Sequence, residues 1–248
     1  MRISNAALRD DRLQSLYLLG ERIPDSAQIV SGKGVMDKTI ILVSIAMLAG
    51  IITMFGFKSD FLGEDALLVL LFGVPLLTLG IGFVICFSPG TAKTLAPFYA
   101  ALEGSTLGLL TLLFDECIMK GIGVQAVFIT LFLTFACLAL YRSNLVNAAL
   151  DARVACVALL VILGAYILDA FTGCMGMLES GPIGIVVAIV IACVYCYVLM
   201  VDFKTVGQAI THNMPKEYEW YFAYSIMLTI ILLYIQILKI LAMFSRRR

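Results

Sequence analysis

Seven predominantly apolar stretches follow one another along the chain, at 39–57, 66–87, 94–114, 121–141, 153–171, 182–201 and 218–244. Crossing a hydrocarbon core takes about 20 helical residues, and each stretch is of that order. Inside lipid every backbone polar group has to be satisfied within the segment, so runs of this kind fold as helices. The breaks carry polar and turn-forming residues, among them Ser88-Pro89-Gly90, Asp115-Glu116 and His212-Asn213-Met214-Pro215, and are too short for a second domain. The expected fold is an all-α integral membrane protein: residues 1–36 form a cytoplasmic N-terminal segment and residues 37–248 a domain of seven transmembrane helices.

Composition narrows the function classes. The chain is 62% hydrophobic and 14% charged with a mean hydropathy of +1.03, values incompatible with the charged surface of a water-soluble domain. Seventeen Lys and Arg balance seventeen Asp and Glu, so there is no basic field to attract nucleic acid. The seven cysteines lie mostly within apolar runs beside a single histidine, and they are read as small apolar side chains in helices instead of metal ligands or disulfides. No signal-peptide pattern is present at the N-terminus, so that segment is expected to be retained, with Ala6 to Leu19 either a short interfacial helix or a disordered tail. With the N-terminus cytoplasmic, that side receives eleven Lys/Arg and the other six, which fits the positive-inside bias. Lys239 and Arg246-Arg247-Arg248 oppose it; seven spans with the tail outside is the preferred arrangement, over six spans with a re-entrant end.

Polar residues inside the apolar runs are the candidate functional groups. Glu103 sits near the centre of the third span, where an ionised carboxylate costs about 2.5 to 3.5 kcal/mol on insertion scales. It is either an acid lining a path or a protonated, hydrogen-bonded structural group. Tyr99, Ala100, Thr106 and Leu107 share its face, while Gly104 and Gly108 form a small-xxx-small stripe that permits close helix contact. Asp202 closes the sixth span on the same face as Tyr195, where a solvated interfacial role competes with function. Asp169, at the outer end of the fifth span, is read first as solvated. The seventh span opens on Pro215-Lys216-Glu217-Tyr218-Glu219-Trp220-Tyr221, a cluster suited to the headgroup region, with Trp220 an interface anchor. Near its other end Gln236 and Lys239 lie one turn apart, and Lys239 is placed to snorkel outward. No catalytic motif is present, and a carboxylate pair would need matching depths, which Glu103 at mid-span and Asp202 at a span end lack. The chain is therefore expected not to be an enzyme.

Several fragments taken together resemble the Bax inhibitor-1/YccA-like family of transmembrane Bax inhibitor motif proteins, in its bacterial branch. They are Met1-Arg2-Ile3-Ser4-Asn5, Pro97 to Gly104 with Gly108, Gly121 to Ala126, Val201-Asp202-Phe203, Glu219-Trp220-Tyr221 and Tyr234 to Lys239. The resemblance implies six helices around a central seventh and a pH-sensitive calcium leak gated by acidic residues on the last two helices. Asp202 resembles the first of these; Gln236 stands where the second is expected, and Lys239 where relatives carry a basic residue. Two neighbouring carboxylates share a proton because both cannot easily ionise, and an acid beside an amide lacks that repulsion. A weaker or acid-shifted pH response is expected, with Gln236 hydrogen-bonded to Asp202.

The ion path or gate is thus assigned to Asp202, Gln236, Glu103 and Lys239, with Asp169, Tyr195 and Tyr234 as secondary candidates. Oxygen-bearing side chains suit a hard cation such as calcium, with a transient contact at Asp202, and suit protons equally. No cofactor and no resident metal are expected. A pH-sensitive calcium leak is the leading function; a proton-linked carrier, or a non-transporting protein that modulates a membrane protease complex, are the alternatives. The expected location is the bacterial plasma (inner) membrane, with the lipid bilayer and a membrane protein among its partners.

Overall fold

The computed structural model describes residues 29–59, 67–143, 154–162 and 182–245. Its helices are α1 (Gly32–Lys58), α2 (Val74–Phe87), α3 (Ala92–Cys117), α4 (Ile122–Arg142), α5 (residues 154–162), α6 (Pro182–Thr211) and α7 (Tyr218–Ser245). Six helices among the described residues are long and apolar enough to cross a membrane, so the all-α membrane fold stands. α5 is too short over its described length, and the rest of the expected fifth span, with Asp169, lies outside the described residues, as do residues 1–28 of the N-terminal segment.

Two boundaries differ from expectation. α1 starts at Gly32, where Ser31 caps it by accepting the Gly34 N–H on its hydroxyl at 3.0 Å. α6 continues to Thr211 instead of stopping near residue 201, so Asp202 lies inside the helix. Lys204 and Gln208 are polar but good helix formers, and hydropathy falls before helix propensity does.

α7 packs against α1, α3, α4 and α6, and is the most buried of the apolar helices. Around it stand a core of Leu42, Ile85, Ala96, Tyr99, Met227 and Ile231, a second with Val35, Cys137, Leu199 and Phe222, and a third with Ile122, Ala126, Tyr195, Leu233 and Leu238. The outer faces are apolar too: Ile52, Phe55, Phe72, Leu76, Phe87, Phe128 and Phe132 are all exposed. A surface of that kind matches lipid as the surrounding solvent.

α1 and α3 meet backbone to backbone. A Cβ on Gly104 would collide with the Ala46 carbonyl, and one on Gly108 with the Gly50 carbonyl. The small-xxx-small stripe read from the sequence does bring two helices into close contact, with a second stripe, Ala46 and Gly50, on the facing helix.

Side-chain pairs set the helix directions. Tyr99 meets Tyr224 and Thr111 meets Tyr234, so α3 and α7 run parallel. Gln236 meets Ala188 and Thr229 meets Asp202, so α6 runs antiparallel to both. Tyr141, closing α4, abuts Gly207 near the end of α6, which makes α4 and α6 parallel. α4 therefore ends and α6 begins at opposite ends of the bundle. α5 runs in the direction that joins them: Ala155 packs with Val198 and Val201, and Ile162 with the core around Tyr195.

α2 is entered through a π turn, Val69–Gly73, in which the Val74 N–H bonds to the Val69 carbonyl. Pro75 follows, with no N–H to offer and a ring that would strike the carbonyl four residues earlier. The wider turn moves that carbonyl aside, so the irregularity is a consequence of the proline.

Candidate functional site

Asp202 is half-buried on α6 and turns towards α7. Its carboxylate oxygens accept hydrogen bonds from Ser225 Oγ at 3.1 Å and Thr229 Oγ1 at 2.6 Å. Ser225 and Thr229 are four residues apart, hence on one face of α7, and both hydroxyls converge on the one carboxyl group. Thr229 is buried, and its hydroxyl also lies 3.2 Å from the Ser225 carbonyl.

Gln236 is not a partner of Asp202. It is buried, with Nε2 donating to the Ala188 carbonyl at 2.9 Å. Ala188 precedes Asp202 by fourteen residues on the same helix, a rise of about 21 Å. The α7 residues facing Asp202 are Ser225 and Thr229, two to three turns before Gln236, so the expected Asp202–Gln236 hydrogen bond does not form. Lys239 is half-buried one turn beyond Gln236, at the far end of the bundle from Asp202.

Glu103 is half-buried close to the middle of α3. Its carboxyl faces the hydroxyls of Thr78 on α2 and Tyr99 on its own helix. Tyr99 and Tyr224 are buried and pack edge to face with centroids 5.0 Å apart. Thr106, one turn after Glu103, lies 3.5 Å from the Leu70 carbonyl inside the π turn of α2. Of the secondary candidates, Tyr195 is buried in the core of α4, α6 and α7, and Tyr234 bonds to Thr111 at 2.7 Å.

The two acids share a level of the bundle. With Tyr99 beside Tyr224 and Thr111 beside Tyr234, Glu103 falls at the height of Met227, and Ser225 and Thr229 bracket that same height for Asp202. The depth difference expected from sequence is overturned because α6 extends ten residues past the end of its apolar run. α7, with Met227 fully buried, stands between the two acids.

Sequence reading missed one polar group. Glu219, assigned there to the headgroup region, is completely buried. It pairs with Lys38 of α1 and accepts the Ser31 N–H at 2.9 Å and the Ser31 hydroxyl at 3.2 Å. A Cβ on Gly34 would overlap this carboxylate, and the Lys38 ammonium also lies 5.5 Å from the centre of the Trp220 ring. Trp220 is therefore engaged with α1 in addition to any interfacial role. The neighbouring Ile29 bridges to Pro215, and Val30 N–H donates to the Met214 carbonyl at 2.9 Å. The cue in the sequence was Lys38 standing at the head of an apolar run, where a charge requires a partner.

Among the cysteines, Cys193 and Cys196 stand at C-x2-C spacing, but α6 turns Cys193 to the exposed surface while Cys196 meets Cys137 of α4. No group of three or more His, Cys, Asp or Glu side chains among the described residues is arranged to hold a metal ion.

The family model described as Bax inhibitor 1 like matches residues 6–246. Neither a curated protein nor a solved structure matches the chain.

Proposed function

The chain belongs to the Bax inhibitor 1 like family, and from that premise we propose that it is a pH-sensitive leak for cations, calcium foremost, in the bacterial plasma membrane. The N-terminus faces the cytoplasm. The observation that carries this reading is the partly buried Asp202 carboxylate on α6, held by two hydroxyls of the central helix α7. Ionised, it offers a hard oxygen ligand to a passing cation. Protonated, it becomes a hydrogen-bond donor with no charge to attract one. Its hydroxyl partners can accept from the acid as readily as they donate to the carboxylate, so either state is satisfied without breaking the contact between α6 and α7. Glu103 supports the reading as a second acid at the same height on the other side of α7.

The test is calcium-dye flux in liposomes containing wild type, Asp202→Asn or Glu103→Gln, between mildly acidic and mildly alkaline pH. Wild type should leak calcium in a pH-dependent way, and Asp202→Asn should flatten that dependence. Flux no greater than from protein-free liposomes, with all three proteins folded, would overturn the proposal.

A further inference from the structure

Immediately before α1 the chain crosses the turn that joins α6 to α7. Ile29 forms an antiparallel bridge with Pro215, and the Val30 N–H donates to the Met214 carbonyl at 2.9 Å. The Ser31 N–H and hydroxyl then donate to Glu219 at 2.9 and 3.2 Å. The turn underneath is tightly made: Asn213 holds a left-handed φ of 50°, and the Asn213 and Met214 N–H groups close back on the Ile210 and Ala209 carbonyls at 3.1 Å each.

These three residues lie over the seam between α6 and α7, the same seam that Asp202 bridges further in. Val30 is only 2% exposed and shares a core with Val206 and Ala209 of α6 and Phe222 of α7. Val206 follows Asp202 by four residues and Phe222 precedes Ser225 by three, so each stands one turn from the carboxylate contact, on the side towards Val30. An apolar layer that Val30 completes thus separates Asp202 from the end of the bundle where α1 and α7 start. A constriction of that kind stops hydrated ions by excluding water.

Two features let these residues leave while the bundle stays. Glu219 draws its partners from two places, Ser31 before the helix and Lys38 in the second turn of α1. With Ser31 withdrawn, Lys38 still pairs with the carboxylate and no buried charge is stranded. Gly32 comes next as the first residue of α1, and a Cβ there would make ordinary contact with the Ile210 side chain at 3.5 Å. Space does not demand glycine at that point, and its backbone freedom suits a hinge.

We propose that residues 29–31 are a strap that shuts the path from Asp202 to this end of the bundle, and that cations pass when the strap swings out about Gly32. This rests on the reading of Asp202 as gate and adds a second barrier in series with it, one set by the position of the chain instead of by charge.

The experiment bolts the strap down. Ile29→Cys/Pro215→Cys, in a cysteine-free background, sets two thiols at paired positions of the antiparallel bridge, within reach of a disulfide. Oxidation with copper phenanthroline should abolish calcium flux from liposomes, and dithiothreitol should restore it. With the native cysteines in place, Ser31→Ala removes one bond to Glu219 and the helix cap but leaves Val30 where it is, and should raise flux about fivefold. A segment that only braced the fold would give Ser31→Ala the lower flux of a destabilised protein. Labelling of Val206→Cys by a soluble maleimide, in the cysteine-free background, reads the seam without calcium, and Ser31→Ala should speed it about fivefold. Flux that the bolt leaves unchanged would overturn the strap, as would an Ile29→Cys/Pro215→Cys protein that forms no disulfide or labelling that Ser31→Ala does not speed. Labelling speeded by Ser31→Ala, in a protein that passes no calcium, would uphold the strap while removing the calcium leak.

Discussion

At the scale of single residues, the partners of Asp202 decide which substitutions should alter the proposed pH sensitivity. The α7 side chains against it are Ser225 and Thr229, and Gln236 is occupied with Ala188 on a distant turn. Ser225→Asp should therefore place a second carboxylate beside Asp202, so that the pair shares a proton and the pH profile of calcium flux moves and steepens. Gln236→Glu should leave that profile unchanged and lower thermal stability, because it sets a buried carboxylate against the carbonyl to which the amide now donates. Equal displacement of the flux profile by both variants would contradict this placement. Asp202 and Glu103 were legible as polar residues in apolar runs. Their common height was not, because it depends on α6 outlasting its apolar stretch and on which turn of α7 faces which neighbour. Spacing along one helix says nothing of either.

At the scale of elements, α1 is fastened at two places by different means. Its first turns are tied to α7 through Lys38, Ser31 and Glu219, and its middle lies on α3 through Ala46, Gly50, Gly104 and Gly108. Lys38→Met strands a fully buried carboxylate and should cost about 3 to 5 kcal/mol, read as a drop in thermal midpoint in detergent, with much of the loss recovered in Lys38→Met/Glu219→Met. Gly104→Ala drives a methyl group into the Ala46 carbonyl and should destabilise by about 1 to 3 kcal/mol. Gly80→Ala, where nothing lies within 4 Å of the added carbon, should be close to neutral in the same melts. The glycine stripe was visible in the sequence because its four-residue spacing is itself the geometry of a helix face. The Glu219 pair was invisible because its members lie 181 residues apart, and charged residues beside aromatic ones at a helix start look like an interfacial belt until the facing helix is known.

At the scale of the whole molecule, α1, α3 and α7 run one way and α2, α4 and α6 the other. α1 and α7 both start at the end where Glu219 meets Ser31. Ser59 and Ser245 should then be reached by a membrane-impermeant thiol reagent from one and the same side once each is replaced by cysteine in a cysteine-free background. Labelling from opposite sides would contradict the parallel course of α1 and α7. The helical class, and the six spans present among the described residues, could be read from hydropathy alone. The order of packing could not, since apolar runs look alike whether they face lipid or protein.

The last helix is also the one that α1, α3, α4 and α6 all pack against, and the chain is made from the other end. While α1 to α6 enter the membrane during synthesis, Lys38 waits for Glu219, Asp202 for Ser225 and Thr229, and Tyr99 for Tyr224. The nascent bundle holds its polar groups without their counterparts until the final helix emerges, so a chain stopped before Tyr218 should be the form that membrane quality control recognises and degrades.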